Sequence, residues 1–193
     1  MAFIGSHGAV MGGDTREIIT SGDRVATETL EHELYCGLIR TDKALQQRAG
    51  ELGISLVIRD GKRKVTRRDG ILVGEVSETA AGLTRKRRLY GTAGEYALAE
   101  ITRSTLRLTG KGKATNFVVL GNPVTREIAN SCIRENGKTC TLHDAIKIIM
   151  LSMERSSKAS ASVSGVYDLI QTPVKVSLSE IIERDSRNDT YGE

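Results

Sequence analysis

The first fourteen residues, MAFIGSHGAVMGGD, constrain the fold of this chain more than any other segment. Two apolar runs, residues 2–4 and 9–11, flank the turn sequence GSHG, and short apolar runs around a glycine-containing turn are typical of a β-hairpin. Neither run carries a charge, so we expect the hairpin to lie in the core. Its second strand would end at Gly12-Gly13, where the backbone can pass close to a neighbour, and would deliver Asp14 and then Arg16 to one place.

The middle of the chain has the pattern of a β-rich region. Asp60-Gly61 and Asp69-Gly70 are predicted hairpin turns, because Asp-Gly pairs between β-type residues favour such turns. Residues 77–84 are predicted to form a loop, the GKGK sequence at 110–113 is predicted to form a turn, and residues 95–108 fit a helix and a strand equally well. The predicted strands are residues 54–58, 64–68, 71–76, 87–92, 116–120 and 166–170.

Two pairs of helices are predicted between and around these strands. Residues 28–35 form the first helix, and the second begins at Thr41 as N-cap and ends at Gly53. Asn122 before Pro123 begins a third helix, and Thr141 begins a fourth with Asp144 in the spacing of a capping box. Strands covered by paired helices predict an α+β fold.

The length of 193 residues favours one domain, residues 1–193, in which we interpret residues 24–53 as a helical insertion. The sequence has neither an apolar run of membrane-spanning length nor the pattern of a signal peptide, so we expect a cytoplasmic protein. The three cysteines form no CxxC motif and are predicted to be buried reduced thiols. No cofactor and no metal site are predicted.

Two short segments concentrate positive charge, residues 59–68 and 85–88. A nucleic-acid footprint is one interpretation of such segments. Aromatic residues make up only 4% of the chain, however, and none is interleaved with the basic residues in the way that base stacking requires. We therefore disfavour nucleic acid as a partner and expect two solvated strands.

Three segments together carry a resemblance to a known family: the hairpin that ends in GGDTRE, the basic strand GKRKVTRRDG, and the block TLHDAIKIIMLSMERSSKASASVSGVYDLI. In this combination the chain resembles a proteasome β-subunit. The resemblance implies the four-layer αββα sandwich of the Ntn-hydrolase superfamily. It also implies that a hydroxyl at the start of the first strand attacks a carbonyl group.

The resemblance assigns roles to individual residues. Asp14 matches the acid of that family, Arg16 its arginine, and Lys64 its catalytic lysine. Ser164, before Gly165, matches the late serine–glycine pair. Two positions depart from the family pattern. Ala161 occupies the position of the family's aspartate shortly before the serine–glycine pair, and Asn122 occupies the position of the serine in its glycine-serine-glycine loop.

Within this superfamily the chain is similar to the connectase family of methanogenic archaea. The similarity extends over most of the chain and includes AFIG, GAVMxGD, REI, LExELY, LVGEV and the YxTxG region. It implies a transpeptidase that cleaves a Lys-Asp-Pro-Gly-Ala-type motif in a methyltransferase subunit and passes the acyl group to another amine. In this chemistry a lysine lowers the pKa of the hydroxyl, an aspartate holds the lysine, and backbone N–H groups bind the oxyanion. Gly94 is the predicted oxyanion turn, and Thr92, Asn122 and Ser164 are the other predicted oxyanion or substrate-binding residues.

The nucleophile itself is absent from the printed sequence. It would precede Ala2 by about four strand residues, roughly 13 Å, and residues 1–5 contain no Thr, Ser or Cys. We therefore expect either a start a few codons upstream of Met1 or an inactive form, and favour the former.

Three functions remain open at this point. The first is a protein ligase of the connectase type. The second is a threonine-type peptidase or amidase, which would share the same site. The third is a non-catalytic protein that binds an acidic partner or nucleic acid through its two basic segments. The sequence makes no prediction of the oligomeric state.

Overall fold

A computed structural model describes residues 1–80, 83–103, 105–113, 116–137 and 141–188. The strands in these ranges are β1 (Ala2–Gly5), β2 (Gly8–Asp14), β3 (Glu17–Ser21), β4 (Ser55–Arg59), β5 (Val65–Arg68), β6 (Ile71–Ala80), β7 (Leu83–Thr92), β8 (Glu95–Thr102), β9 (Thr105–Lys113), β10 (Asn116–Val118) and β11 (Tyr167–Thr172). The helices are α1 (Arg24–Tyr35), α2 (Asp42–Glu51), α3 (Pro123–Asn136), α4 (Leu142–Ala159) and α5 (Ser179–Asn188).

The strands form three antiparallel sheets. The first sheet has the order β10-β1-β2-β11, the second contains β3 and β4, and the third has the order β5-β6-β7-β8-β9. The N-terminal hairpin is confirmed, with Ala2 opposite Met11 and Gly5 opposite Gly8. Both strands are buried, apart from the last two residues of β2, which are partly exposed.

The two larger sheets pack on each other, and helices cover their outer faces. Phe3 and Val10 pack on α3 and α4 on one side of the first sheet. Ile4 and Met11, on its other side, pack on Leu72 and other residues of the third sheet. Residues of α5 cover the far face of the third sheet. The α+β class is thus confirmed, whereas membership of the Ntn-hydrolase sandwich stays a prediction.

Helices α1 and α2 pack together with β3 and β4 as a distinct unit, here called the α1–α2 unit. Leu30, Leu34 and Leu45 are its buried centre. Asp23 and Thr41 accept hydrogen bonds from backbone N–H groups in the first turns of α1 and α2, so both helices are capped. The predicted helices are present; their interpretation as an insertion in a single domain stays a prediction.

The later helices are capped as predicted. The Asn122 side chain accepts from the Thr125 N–H at the start of α3. Thr141 and Asp144 form a complete capping box at the start of α4. Helix α5 was not predicted, because its polar sequence has few apolar residues to show a helical period.

Several predictions in the middle of the chain are wrong. Asp60-Gly61 does not join a hairpin, because β4 pairs with β3, Glu17 lying opposite Arg59. Residues 77–84 are not simply a loop, since β6 and β7 continue to pair as far as Ala80 opposite Leu83.

The GKGK sequence is not a turn either, because it lies within β9. A Cβ on Gly112 would lie 2.5 Å from the Tyr96 ring, so a larger residue at this strand position would require the ring to move. The ambiguous segment 95–108 is strand, in β8 and β9.

The cysteines differ from expectation at one position. Cys132 is a buried free thiol, whereas Cys36 is an exposed one because it follows the last turn of α1 on its solvent side. Cys140 lies outside the described residues. None of the helices in the described ranges is long and apolar enough to cross a membrane.

Candidate functional site

A cavity of about 1030 Å³ opens where β1 begins and β2 ends. The α1–α2 unit forms one wall, and the segment before β5 together with the outer half of β6 forms another. Its lining includes Met1, Asp14, Arg16, Lys64, Ser77, Asn122 and Ser162.

Asp14 and Lys64 form an ion pair in this cavity. Lys64 Nζ donates to both carboxylate oxygens of Asp14 at 2.9 Å. The two side chains are 17% and 20% exposed, so the pair is largely shielded from water. Close packing brings them together, because Gly13 lies against Val65 so tightly that a Cβ on Gly13 would be 3.1 Å from that side chain. An ammonium has three N–H donors, and two of those of Lys64 are directed at Asp14.

Met1 continues the pairing of the first two strands beyond the end of β1. Its nitrogen donates to the Gly12 carbonyl, and its carbonyl accepts from the Gly12 N–H, both at 2.9 Å. Burial lowers the pKa of the Met1 amino group to about 6, against the opposing effect of the Asp14 charge. In this register, residues joined ahead of Met1 would lie opposite Gly13, Asp14 and Thr15 in turn.

Arg16 is close to Asp14, but its guanidinium is directed elsewhere. Its backbone N–H donates to Asp14 Oδ1 at 2.9 Å. Its side chain is held by Asp42, Asp60 and the Ala161 carbonyl. The hydrogen bonds that Arg16 donates to Asp60 and to Asp42 raise its pKa against the opposing effect of burial, and the same contact with Arg16 lowers the pKa of Asp60. Arg16 therefore has a structural role at the site, because its guanidinium binds the neighbouring segments and not the Asp14 carboxylate.

Ser164 and the loop before it reach the same end of β2. Ser164 Oγ accepts from the Thr15 N–H at 3.2 Å and lies 3.1 Å from the Thr15 hydroxyl. Ala161, at the position of the expected aspartate, is 2% exposed and packs in the apolar centre of the α1–α2 unit. A carboxylate there would be buried among leucines, which explains the alanine.

Asn122 has a capping role and a cavity-lining role. Its Oδ1 caps α3, and its Nδ2 donates to Ser162 Oγ at 2.9 Å. Both polar ends of the side chain are therefore engaged in holding the loop that lines the cavity.

The structure does not bring Thr92 and Gly94 to this cavity. The Gly94 N–H donates to the Gly5 carbonyl at 2.8 Å, at the opposite end of β1 from Met1. Thr92 is fully buried, and its hydroxyl donates to the Val174 carbonyl. Gly94 instead lines a second cavity of about 480 Å³. Because its N–H is already bonded and lies far from Asp14, the oxyanion role assigned to Gly94 is not retained.

The sequence did not predict a further backbone donor, the N–H of Ser77. β6 extends beyond the point where β5 begins, and the Glu75 N–H donates to the Lys64 carbonyl at 2.9 Å. Since N–H groups two residues apart point to the same side of a strand, the Ser77 N–H faces the cavity that Ser77 lines. The apolar run ends at Val76, which is why the sequence predicted a loop here.

The site has no cluster typical of a metal centre. Among the described residues, no group of three or more His, Cys, Asp or Glu side chains is arranged to hold a metal ion. What the cavity does present is a shielded ammonium, a carboxylate that orients it, and a strand N–H. Such a set can stabilise an alkoxide and the oxyanion that forms when the alkoxide attacks a carbonyl.

Comparison with known proteins identifies the family. The family model described as "Connectase MJ0548-like, N-terminal domain" matches residues 1–187. A search of the curated proteins found no match. Because the family model covers nearly the whole chain, this protein belongs to the connectase family.

Proposed function

We propose that this protein is a protein ligase of the proteasome-like, N-terminal-nucleophile type. It cleaves a peptide bond in a protein substrate, holds the acyl group on a hydroxyl, and transfers it to the amine of a second peptide. The observation that carries the proposal is the Asp14–Lys64 pair, which lies in a cavity at the open end of the first hairpin.

The nucleophile is a Thr or Ser joined ahead of Met1. The strand pairing continues to Met1, so the third added residue would lie opposite Thr15, next to Asp14 and Ser164. There the Lys64 ammonium favours the deprotonated hydroxyl, and the α-amine of the nucleophile itself is available as general base. Residues 1–5 themselves contain no Thr, Ser or Cys.

The substrate is an extended peptide that lies along the cavity. Within the described part of the chain, no strand pairs with the outer part of β6 on the side of β5, and β3 lines the opposite wall. An extended peptide can add to such an edge through main-chain hydrogen bonds. In that position its scissile carbonyl oxygen would meet the Ser77 N–H, the candidate oxyanion donor.

The family implies the substrate, a methyltransferase subunit that carries a Lys-Asp-Pro-Gly-Ala-type motif. Ligation requires that an amine reach the acyl-enzyme before water does. The cavity is walled by the α1–α2 unit, which supports such shielding. A threonine-type peptidase would use the same residues and differ only in the acceptor.

The alternative of a nucleic-acid-binding surface has less support. Arg85, Lys86 and Arg88 in the second basic segment each form an ion pair with a carboxylate of their own sheet or of α5. Arg88 is only 7% exposed, so this segment is not simply a solvated strand. Charges already neutralised within the protein contribute little to phosphate binding.

A two-peptide exchange assay tests the function. The chain is extended so that Thr is the first residue, three positions ahead of Met1, and is mixed with a peptide that contains Lys-Asp-Pro-Gly-Ala and a second peptide with a free amine. We expect the joined product in mass spectra, and none from a chain with Ala in place of that Thr. Hydrolysed peptide without joined product would favour the peptidase, and no product together with salt-dependent nucleic-acid binding would favour the binding protein.

A further inference from the structure

The guanidinium of Arg16 donates all five of its N–H groups. Nε and Nη2 donate to the two oxygens of Asp60 at 3.0 and 3.1 Å. Nη1 and Nη2 donate to the two oxygens of Asp42 at 2.5 and 3.2 Å, and Nη1 also donates to the Ala161 carbonyl at 2.9 Å. A guanidinium has five donors, so none remains for another partner. The Arg16 side chain is only 9% exposed, so its guanidinium is largely shielded from water and all of its donors are engaged.

The three partners of Arg16 belong to three separate segments around the cavity. Asp60 lies in the loop that leads to Lys64. Ala161 adjoins Ser162 in the loop between α4 and β11, residues 160–166, here called the late loop. Asp42 is the first residue of α2. Because the Arg16 N–H also donates to Asp14 Oδ1, this centre is directly joined to the ion pair of the site.

Of the three partners of Arg16, Asp42 is the one that lies in a helix of the α1–α2 unit. That unit also contacts the late loop through the Ala161 N–H, which donates to the Ile39 carbonyl at 3.0 Å, and through Ser160 Oγ, which donates to the Leu34 carbonyl at 3.1 Å. Neither of these two contacts involves Arg16. Asp42 is the side chain through which helix α2 binds Arg16 and, through it, Asp14. Its place in the first turn of α2 favours a negative charge.

We propose that Asp42 is a positioning residue for the Asp14–Lys64 pair. By holding Arg16, its carboxylate keeps three parts in register: Asp14, the segment that carries Lys64, and the late loop with Ser162 and Ser164. Asp42 touches none of the reacting atoms. Its effect on catalysis rests on the proposed function, whereas its effect on the arrangement of the site rests on the contacts alone.

The substitution Asp42→Asn tests this role. It preserves the size of the side chain but removes its charge and replaces one acceptor oxygen with a donor, so one Arg16 N–H loses its partner. Asp42→Glu keeps the charge and should restore part of the effect. Glu127→Gln, on the exposed side of α3, is the matched control for the loss of one carboxylate.

Hydrogen exchange, measured on the chain of residues 1–193, tests this arrangement independently of catalytic activity. In Asp42→Asn, we expect exchange about tenfold faster at the Ala161, Lys62 and Thr15 amides, whose bonds join the three segments, and no change within α4. Unchanged exchange at these amides would overturn the proposal. So would an equal increase within α4, because that would indicate general destabilisation.

Acylation of the Thr-extended chain tests the catalytic consequence. Because a displacement of about 1 Å can cost on the order of 100-fold in rate, we expect Asp42→Asn to slow acyl-enzyme formation by about 10- to 100-fold. The Kd for the peptide should change less than twofold, and Asp42→Glu should recover part of the rate. An unchanged rate in Asp42→Asn would overturn the positioning role. If the parent chain forms no acyl-enzyme, the proposed function fails, and the exchange result alone decides whether Asp42 holds the site together.

Discussion

Lys64 Nζ donates to both carboxylate oxygens of Asp14 at 2.9 Å, although fifty positions of sequence separate the two residues. Asp14 ends a strand of the first sheet, and Lys64 immediately precedes the first strand of the third sheet. The packing of the two sheets therefore creates the pair. Neither residue carries chemistry alone; their contact at the edge of a large cavity makes them a candidate site.

Removing the cation of this pair should lower the stability of the fold. Lys64→Met leaves the Asp14 carboxylate, 17% exposed, without its cation, and we expect a loss of about 1 to 2 kcal/mol in the free energy of unfolding. The matched control is Lys158→Met, which removes a pair whose side chains are 73% and 61% exposed, at a cost below about 0.5 kcal/mol. Urea denaturation measures both. An equal loss in the two variants would mean that the Asp14–Lys64 pair does not stabilise the fold.

Gly12 should tolerate no side chain. A Cβ at this position would lie 2.5 Å from Ile149 Cγ2, in the tight contact between β2 and α4. Gly12→Ala should therefore destabilise the protein by about 1 to 3 kcal/mol. Gly50→Ala is the control, because a Cβ there meets nothing within 4 Å and the residue lies within a helix. The control should stabilise the protein by about 0.5 to 1 kcal/mol in thermal or urea unfolding. Equal effects of both substitutions would contradict the packing described.

Asp185 should be essential for the attachment of α5. It is 5% exposed and accepts hydrogen bonds from Arg88 Nη1 at 3.1 Å and from the Tyr90 hydroxyl at 2.8 Å. Asp185→Ala leaves a buried guanidinium short of a partner, and we expect a loss of about 3 kcal/mol. Glu183→Ala, on the exposed side of the same helix, should cost less than about 0.5 kcal/mol. A similar loss for both variants in urea unfolding would refute a specific role of Asp185.

Lowering the pH from 8 to 6 should reduce the stability of a protein whose first residue is Met1. Burial lowers the pKa of the Met1 amino group to about 6 in the folded chain, from an ordinary value of 8.0. Between these two values the unfolded chain binds a proton that the folded chain does not bind. Stability should therefore rise from pH 6 to pH 8, by about 2 to 3 kcal/mol in total.

A chain with a long flexible extension ahead of Met1 is the control for this pH dependence. In that chain the Met1 nitrogen is a peptide N–H, so the rise should disappear. The free energy of unfolding, measured at several pH values for both chains, checks this. The same slope in both chains would show that the Met1 amino group is not its source.

The parts of the fold with strong local signals could be predicted from the sequence. The first hairpin follows from two apolar runs around a glycine turn, and α3 and α4 follow from their caps at Asn122 and Thr141. Pairing between distant strands could not be predicted in the same way. The partner of β4 is β3, across the whole α1–α2 unit, and a local Asp-Gly turn signal gave the wrong neighbour.

The candidate site shows the same division between local and distant information. Asp14 and Lys64 were singled out by resemblance, and the structure places them in contact. Gly94 was chosen because it lies in a glycine turn, but its N–H is bonded to Gly5 at the other end of β1. The Ser77 N–H had no signal in the sequence, since its direction depends on where β5 stops pairing with β6. The role of Asp42 depends likewise on a contact across 26 positions.

The central claim is that the Asp14–Lys64 pair activates a hydroxyl placed ahead of Met1. The most direct measurement is the intact mass of the Thr-extended chain after incubation with the Lys-Asp-Pro-Gly-Ala peptide. We predict a mass increase equal to the acyl fragment, absent when that Thr is replaced by Ala and reduced at least about 100-fold in rate by Lys64→Ala. An unmodified mass for the Thr-extended chain, or the same adduct on the Ala chain, would contradict the account.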